Sequence, residues 1–331
     1  MARDFWTNRN VFVTGATGFL GPWLVKELKN SGANVTALER DFIPNSNFYL
    51  FGLDKRVNLI KGDLTDYQLL LRCLNEFEID TVIHLGAQAI VSIANRNPLS
   101  TFESNIRGTW NLLEAVRNSK SISRVVVASS DKAYGTHKIL PYTEDMQLQG
   151  KYPYDASKVC VDILAQSYIS TYNLPIVITR CGNFYGGGDL NFNRLVPGTI
   201  KSVIEDQIPI IRSDGLFIRD YIYVADAVSA YMTCAEKADL PNVRGQAFNF
   251  STEKYHSVID VVNLILKLSK SDLKPKILNQ ASNEIREQYL SSKKAETVLD
   301  WQAKYTLDEG LTNTINWYRT FLNKNETIPG S

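Results

Sequence analysis

The run Gly15-Ala16-Thr17-Gly18-Phe19-Leu20-Gly21 restricts this chain more than any other feature. It lies between a short β-branched stretch at 11–14 and apolar residues at helical spacing over 18–29. Glycines at those three positions permit a tight turn, close approach of a pyrophosphate and close helix–sheet packing. The start of the following helix offers unsatisfied N–H groups and a partial positive charge, which suits phosphate. The strand–turn–helix context separates this run from an ordinary glycine-rich turn and predicts a dinucleotide loop, with Thr17, Phe19 and Leu20 lining it.

The rest of the first half alternates. Strands are predicted at 35–39, 57–60, 81–85, 124–129 and 176–180, and helices at 66–77, 98–118 and 154–172. Such alternation implies parallel pairing with helices on both faces. Strands such as Arg124-Val-Val-Val-Ala-Ser129 are apolar throughout rather than alternating, as in a sheet covered on both sides. The expected fold class is α/β: a Rossmann-type doubly wound parallel sheet over residues 1–180, with a return of roughly 220–250. A smaller α+β substrate domain is expected over 181–325 and a flexible tail over 326–331. In that second half 182–189 reads as loop, 246–249 as a late strand, and 194–205, 226–237, 257–268 and 307–322 as helices.

The 331 residues carry 36 Lys+Arg against 35 Asp+Glu, so a net charge of +1 gives no general attraction to nucleic acid or an anionic membrane. No apolar run approaches the roughly 18 residues of a membrane span, and no signal-peptide pattern opens the chain. Cys73, Cys160, Cys181 and Cys234 form no CxxC, and His84, His137 and His256 are scattered. The expectation is a cytoplasmic, metal-free protein without a disulfide framework.

An acidic residue is expected some 20 residues past the glycine loop to bind the adenosine ribose. Glu39 stands there and favours NAD, because a carboxylate repels a 2′-phosphate. Arg40 follows directly and keeps NADP as the alternative. Further on, Tyr154 and Lys158 stand four apart on one helical face. A phenol is a poor base at neutral pH, but a nearby ammonium and an oxidised nicotinamide favour the phenolate. Such a phenolate takes a proton from a carbinol as hydride leaves for the cofactor.

YxxxK alone is common on helix surfaces. Here it accompanies Gly62-Asp63-Leu64, His84-Leu-Gly-Ala-Gln88, Asn105-Ile-Arg-Gly-Thr109, Ser129-Ser130-Asp131-Lys132-Ala-Tyr134-Gly135, Arg180-Cys-Gly-Asn183 and Arg219-Asp-Tyr-Ile-Tyr-Val-Ala-Asp226. With these motifs the chain resembles, over nearly its whole length, the extended short-chain dehydrogenases/reductases, specifically the nucleotide-sugar epimerases and dehydratases. The resemblance implies that Asp63 and Leu64 flank the adenine and that Leu85, Gly86 and Ala87 line the cofactor. It implies that Ser130 bonds the sugar 4-hydroxyl beside Tyr154, and that Asn183 and Arg219 lie at the substrate diphosphate, where a guanidinium suits phosphate oxygens. Gln88, Asn193, Arg194, Leu195, Val196 and Arg212 complete the expected substrate set, with Leu195–Pro197 meeting the nucleobase mostly through backbone. A homodimer through helices 98–118 and 154–172 is also implied.

Simple 4-epimerases similar to this chain carry small or apolar residues after the catalytic Ser or Thr, whereas 4,6-dehydratases carry an acid–base pair. The pair here is Asp131-Lys132, which resembles the CDP-glucose and UDP-N-acetylglucosamine 4,6-dehydratases. Oxidation at C4 acidifies the C5 proton, so a base must remove it while an acid protonates the departing C6 hydroxyl. Asp131 serves as acid if its pKa is raised, and Lys132 as base when neutral. The expected activity is therefore an NAD-dependent nucleotide-sugar 4,6-dehydratase with internal hydride recycling. A 4-epimerase and a non-catalytic dinucleotide sensor are the alternatives. Residues 182–189, with 194–197, resemble the CDP-glucose branch and 212–220 the UDP and dTDP branches, so the nucleobase stays open.

Overall fold

The computed structural model describes residues 3–280 and 285–323; the expected tail at 326–331 lies outside them. Six strands alternate with helices along the first half: β1 (Asn10–Thr14), β2 (Asn34–Glu39), β3 (Asn58–Lys61), β4 (Thr81–His84), β5 (Arg124–Ala128) and β6 (Ile176–Cys181). With the late strand Ala247–Phe250 they form a seven-stranded, wholly parallel sheet. Its order is Ala247–Phe250, β6, β5, β4, β1, β2, β3. Strand order therefore reverses between β1 and β4, where Val13 pairs with Ile83 and Thr14 with His84. In open α/β sheets the ligand crevice lies beyond the carboxyl ends of the strands at that reversal.

Successive side chains on a strand point to opposite faces. Val11 and Val13 accordingly join one core with Leu24, Val25 and Leu28, while Phe12 joins the other with Leu70, Leu112 and Val161. The chain crosses back through the helix Val224–Lys237 and the strand Ala247–Phe250, which complete the sheet's far edge.

The stretch over 98–117 contains an irregularity that periodicity did not reveal. Pro98–Phe102 is α-helical, Glu103–Arg107 is a π-helical turn, and Gly108–Arg117 is α-helical again. The wider turn shifts the angular register. Leu112 and Leu113 are buried, whereas Leu99, Phe102 and Trp110 from the same apolar spacing face outward.

In the second half, Ile218–Tyr223 is flanked by Tyr255–Ser257, Glu287–Gln288 and Asn183–Tyr185 in a small mixed sheet. The expected loop at 182–189 is thus corrected: Asn183–Tyr185 is a strand. Gly182 makes the pairing possible, since a Cβ there would lie 2.9 Å from both the Cβ and the carbonyl oxygen of Asp220. Three residues are too few for an alternation pattern to register.

Candidate active site

At the sheet reversal the glycine turn is packed against backbone. Gly15 has φ +70°, and a Cβ on it would lie 2.8 Å from the Gly86 nitrogen. A Cβ on Gly21 would lie 2.2 Å from the Gly15 carbonyl oxygen. The Gly18 N–H closes the turn onto that same oxygen at 3.1 Å. The helix Leu20–Asn30 begins at Phe19 with no side-chain cap, so its first N–H groups stay available to an anion. Thr17 and Leu20 are buried beside the turn.

A directed chain of hydrogen bonds holds the facing loop. The Thr109 hydroxyl donates to the Asn105 carbonyl at 2.5 Å, so it accepts from His84 Nε2 at 3.0 Å. His84 Nδ1 then accepts from the Thr14 hydroxyl at 2.7 Å, and Thr14 Oγ1 accepts from the Gly86 N–H at 3.0 Å. Burial, with Lys158 adding to it, pushes the His84 pKa down to about 3, so the imidazole is the neutral structural link this chain needs. Asn105, carried by the π turn, receives the Gln88 N–H at 2.7 Å and donates to the Gln88 carbonyl and to Ser157. Leu85, Gly86, Ala87 and Gln88 are thereby fixed between β1 and the helix bearing Tyr154. Leu64 packs over Gly86 and Gly108, where added Cβ atoms would each meet it at 2.8 Å.

Glu39, at the end of β2, is buried. One carboxylate oxygen accepts from the Tyr49 hydroxyl; the other is buried with no partner among the described residues. That geometry suits a ligand hydroxyl that donates to it. Burial and Glu39 together push the Tyr49 pKa up to about 12. Arg40 turns outward, donating to Asp41 at 2.7 Å and Ser104 at 3.4 Å. Asp63 uses one oxygen to close its own turn onto the N–H and hydroxyl of Thr65.

Beyond β5, Ser130 caps the short 3₁₀ turn Asp131–Tyr134 by accepting from the Lys132 N–H at 3.2 Å, and it donates to Asp131 Oδ1 at 3.0 Å. Asp131 is buried and its Oδ2 has no partner among the described residues. Burial raises its pKa against the opposing pull of Lys132 and Ser130. Lys132 Nζ donates to Gln288 Oε1 at 2.9 Å.

Tyr154 and Lys158 lie on the helix Pro153–Tyr172. Burial drives the Tyr154 pKa up to about 12, opposed by a hydrogen bond with Ser130 and by Arg194. Lys158 donates to the Ala128 carbonyl at 2.8 Å, and burial lowers its pKa to about 8. In the protein alone desolvation, with Asp131 and Asp155 adding to it, keeps Tyr154 a phenol. Asp155 is also pushed up, to about 6, by burial.

On the other side of the crevice, Asn183 lies on the strand paired with Tyr221. Arg194 stands at the N-cap of the helix Leu195–Ile204, pairing with Asp189 at 2.9 Å and reaching the Ala89 carbonyl at 3.3 Å. It ties this half to the residue that follows Gln88. Val196 is buried in the core, which leaves its backbone rather than its side chain for a ligand. Arg219 is buried and donates to the Ile218 and Arg286 carbonyls. Arg212 and Asn193 are exposed and bonded to each other at 2.9 Å.

Gln288, Asp155, Asp189 and Asn105's bridging role were absent from the sequence-derived set. Asn105 sits in a quoted motif and was findable there; a lone Gln in a two-residue strand carries no pattern. Among the described residues no cluster of ligands suits a metal ion, and no helix is long and apolar enough to cross a membrane.

A glycine-turn crevice facing a Ser–Tyr–Lys set defines an extended short-chain dehydrogenase/reductase. Residues 12–314 match the GDP-mannose 4,6 dehydratase family model, and the chain belongs to that family. It is 30% identical to the CDP-glucose 4,6-dehydratase of Salmonella typhimurium, over 97% of this chain and 93% of that one. The structure of dTDP-glucose 4,6-dehydratase from Bacillus anthracis in complex with NAD superposes with a TM-score of 0.83 at 26% identity, covering 94% of this chain and 96% of that one. UDP-glucose 4-epimerase from Thermotoga maritima, solved with UDP-glucose, gives 0.87 at 25% identity, covering 95% and 99%.

Proposed function

We propose that the protein is an NAD-dependent nucleotide-diphosphate-sugar 4,6-dehydratase, turning an NDP-hexose into an NDP-4-keto-6-deoxyhexose and water. The observation that carries this reading is Asp131: a buried carboxyl with a raised pKa and an unpartnered oxygen, one residue from Ser130 and next to a lysine. A 4-epimerase has no use for an acid there.

The residues fit a dinucleotide. The uncapped helix start after Gly15, Thr17, Gly18, Phe19, Leu20 and Gly21 would hold the pyrophosphate, and the orphaned Glu39 oxygen an adenosine ribose hydroxyl. Asp63 and Leu64 would flank the adenine, with Leu85–Ala87 and Lys158 along the remainder. When bound, the nicotinamide accepts hydride from C4 of the sugar and returns it to C6, so it is not consumed.

The chain's own groups move the protons. Tyr154, bonded to Ser130, takes the C4 hydroxyl proton. Lys132 takes the C5 proton while Asp131 gives its proton to the C6 hydroxyl, which leaves as water. Lys132 then returns a proton to C5. Tyr154 has gained the proton that Asp131 has lost, and passing it on resets both. Arg219, Asn183, Arg194 and Gln88 would hold the diphosphate and sugar, Leu195–Val196 the base, and Arg212 and Asn193 the outer rim. Residues 1–180 with 220–250 thus serve the cofactor, and 181–325 the nucleotide sugar.

Incubation with CDP-, UDP- and dTDP-hexoses tests the reading: a product lighter by one water is expected. An isomer of equal mass would mean a 4-epimerase, and binding of cofactor without turnover a sensor. Turnover is expected without added reductant, because hydride is returned within each cycle. Dependence on stoichiometric NADH or NADPH would overturn that.

NAD is expected to bind more tightly than NADP in a titration of cofactor-free protein, because buried Glu39 faces the ribose while Arg40 is engaged by Asp41. Glu39→Ala should erase the preference. Equal or tighter NADP binding to the unaltered chain would assign the choice to Arg40.

The outward Leu99, Phe102 and Trp110, with Ile163 and Tyr172 on the neighbouring helix Pro153–Tyr172, support a homodimer formed by these two helices.

A further inference from the structure

We propose that Gln288 is a positioning residue for Lys132, holding its amine at the sugar through the amide oxygen while its amide nitrogen donates to an oxygen of the bound sugar. The inference rests on the dehydratase reading and names a residue of that same site.

Three observations carry it. Gln288 is completely buried, although it belongs to a two-residue strand near the protein surface. Its Oε1 accepts from Lys132 Nζ at 2.9 Å across 156 positions of sequence. Its Nε2 is buried with no partner among the described residues.

The two ends of an amide are not interchangeable in this setting. An amine or ammonium always presents N–H groups, so only the carbonyl end of Gln288 satisfies it. The nitrogen must then point away from Lys132 as a donor. A buried amide donor without an acceptor forfeits its hydration, which a ligand oxygen would restore.

Its place in the fold gives that donor a direction of use. Gln288 pairs in register with Arg219, and Leu290, two residues on, lies within 3.5 Å of Asp220 Oδ2. Asp131, next to Lys132 in the chain, carries an unpartnered oxygen, an acceptor where Gln288 has an unpartnered donor. The charged groups acting around Lys132 and Asp131 include Asp155, Arg219 and Asp220. A neutral amide at 288 fixes Lys132 without adding another charge to that set.

A lysine with four rotatable bonds must be held in one geometry to act at a single carbon. Displacement of a catalytic group by about 1 Å can cost on the order of 10²-fold in rate. Gln288→Leu keeps the volume and loses both contacts. Gln288→Glu keeps an acceptor for Lys132 and loses the donor.

The test uses the full chain, first assayed for water loss from CDP-, UDP- and dTDP-hexoses, since failure there is failure of the dehydratase reading alone. On the hexose that reacts, Gln288→Leu should lower kcat by about 10²-fold, with the melting temperature unchanged. Gln288→Glu should restore part of kcat but leave KM raised. In a Lys132→Met background Gln288→Leu should add almost nothing to the loss of kcat, because the amine it positions is already gone, while KM should still rise with the lost sugar contact. A second readout is independent of turnover. Acetylation of Lys132 by dilute acetic anhydride, mapped by peptide mass spectrometry, should be several-fold faster in Gln288→Leu than in the unaltered chain. Equal rate losses in both backgrounds, or unchanged Lys132 labelling, would reduce Gln288 to a packing residue and overturn the proposal.

Discussion

Tyr154→Phe is expected to halt the reaction before any reduced nicotinamide appears. The substitution removes one oxygen and keeps the ring, so the helix Pro153–Tyr172 and its packing should survive. What disappears is the hydroxyl that, on the proposed mechanism, takes the C4 proton beside Ser130. Loss of a positioned acid–base group typically costs about 10²–10⁴-fold. In the cofactor-free protein burial holds the Tyr154 pKa up at about 12, so the phenol dominates at neutral pH. Reaction through the phenolate therefore speeds up as pH rises toward that value, and a positive nicotinamide close by shifts the rise to lower pH. The unaltered protein should show this alkaline rise in kcat/KM, and Tyr154→Phe should lose it. Rapid mixing with substrate and absorbance at the reduced-nicotinamide band give the check. If Tyr154→Phe builds up reduced cofactor at an undiminished rate, the C4 base lies elsewhere.

Lys132→Met should fail one step later. Oxidation at C4 needs Ser130 and Tyr154, which the substitution leaves in place, whereas abstraction at C5 loses its base. The variant should therefore accumulate reduced nicotinamide on mixing with substrate while releasing dehydrated product about 10²–10⁴-fold more slowly. Exchange of the C5 proton with deuterated water should fall with it. Nucleotide-sugar affinity should change little, because Arg219, the strand Asn183–Tyr185 and Arg194 are held by bonds that do not involve Lys132. The contrast between the two variants is the informative result: one empties the reduced-cofactor signal and the other fills it. A Lys132→Met protein that dehydrates at nearly the original rate would return Lys132 to a surface lysine and make Tyr154 the first candidate for the C5 base.

Much of the cofactor half was legible in the sequence because its signals are local. A glycine at 15 is demanded by a positive φ, and one at 21 by a carbonyl 2.2 Å from where a Cβ would sit. Such requirements act within a few residues and leave a readable pattern. The same holds for the apolar strands β1, β4 and β5, buried on both faces, and for Tyr154 and Lys158 one helical turn apart. The small strands of the second half left little trace. Asn183–Tyr185 and Glu287–Gln288 are too short for periodicity, and each exists only because Ile218–Tyr223 runs beside it.

The sequence by itself determined the order of strands and helices in the first half, the glycine turn and the chemical identities of the Ser130, Asp131, Lys132 and Tyr154 set, since backbone sterics and side-chain chemistry are properties of short segments. Only the tertiary structure decided how those groups are charged and held. Asp131 has a raised pKa because elements distant in sequence exclude water from it, and Tyr154 is a phenol in the free protein because burial outweighs the Ser130 hydrogen bond and Arg194. The π turn at Glu103–Arg107 carries Asn105, which bonds Gln88 and Ser157. Gln288 reached Lys132 from the far end of the chain. Desolvation and hydrogen-bond partnership depend on what the rest of the fold lays over a group, and no local spacing encodes that.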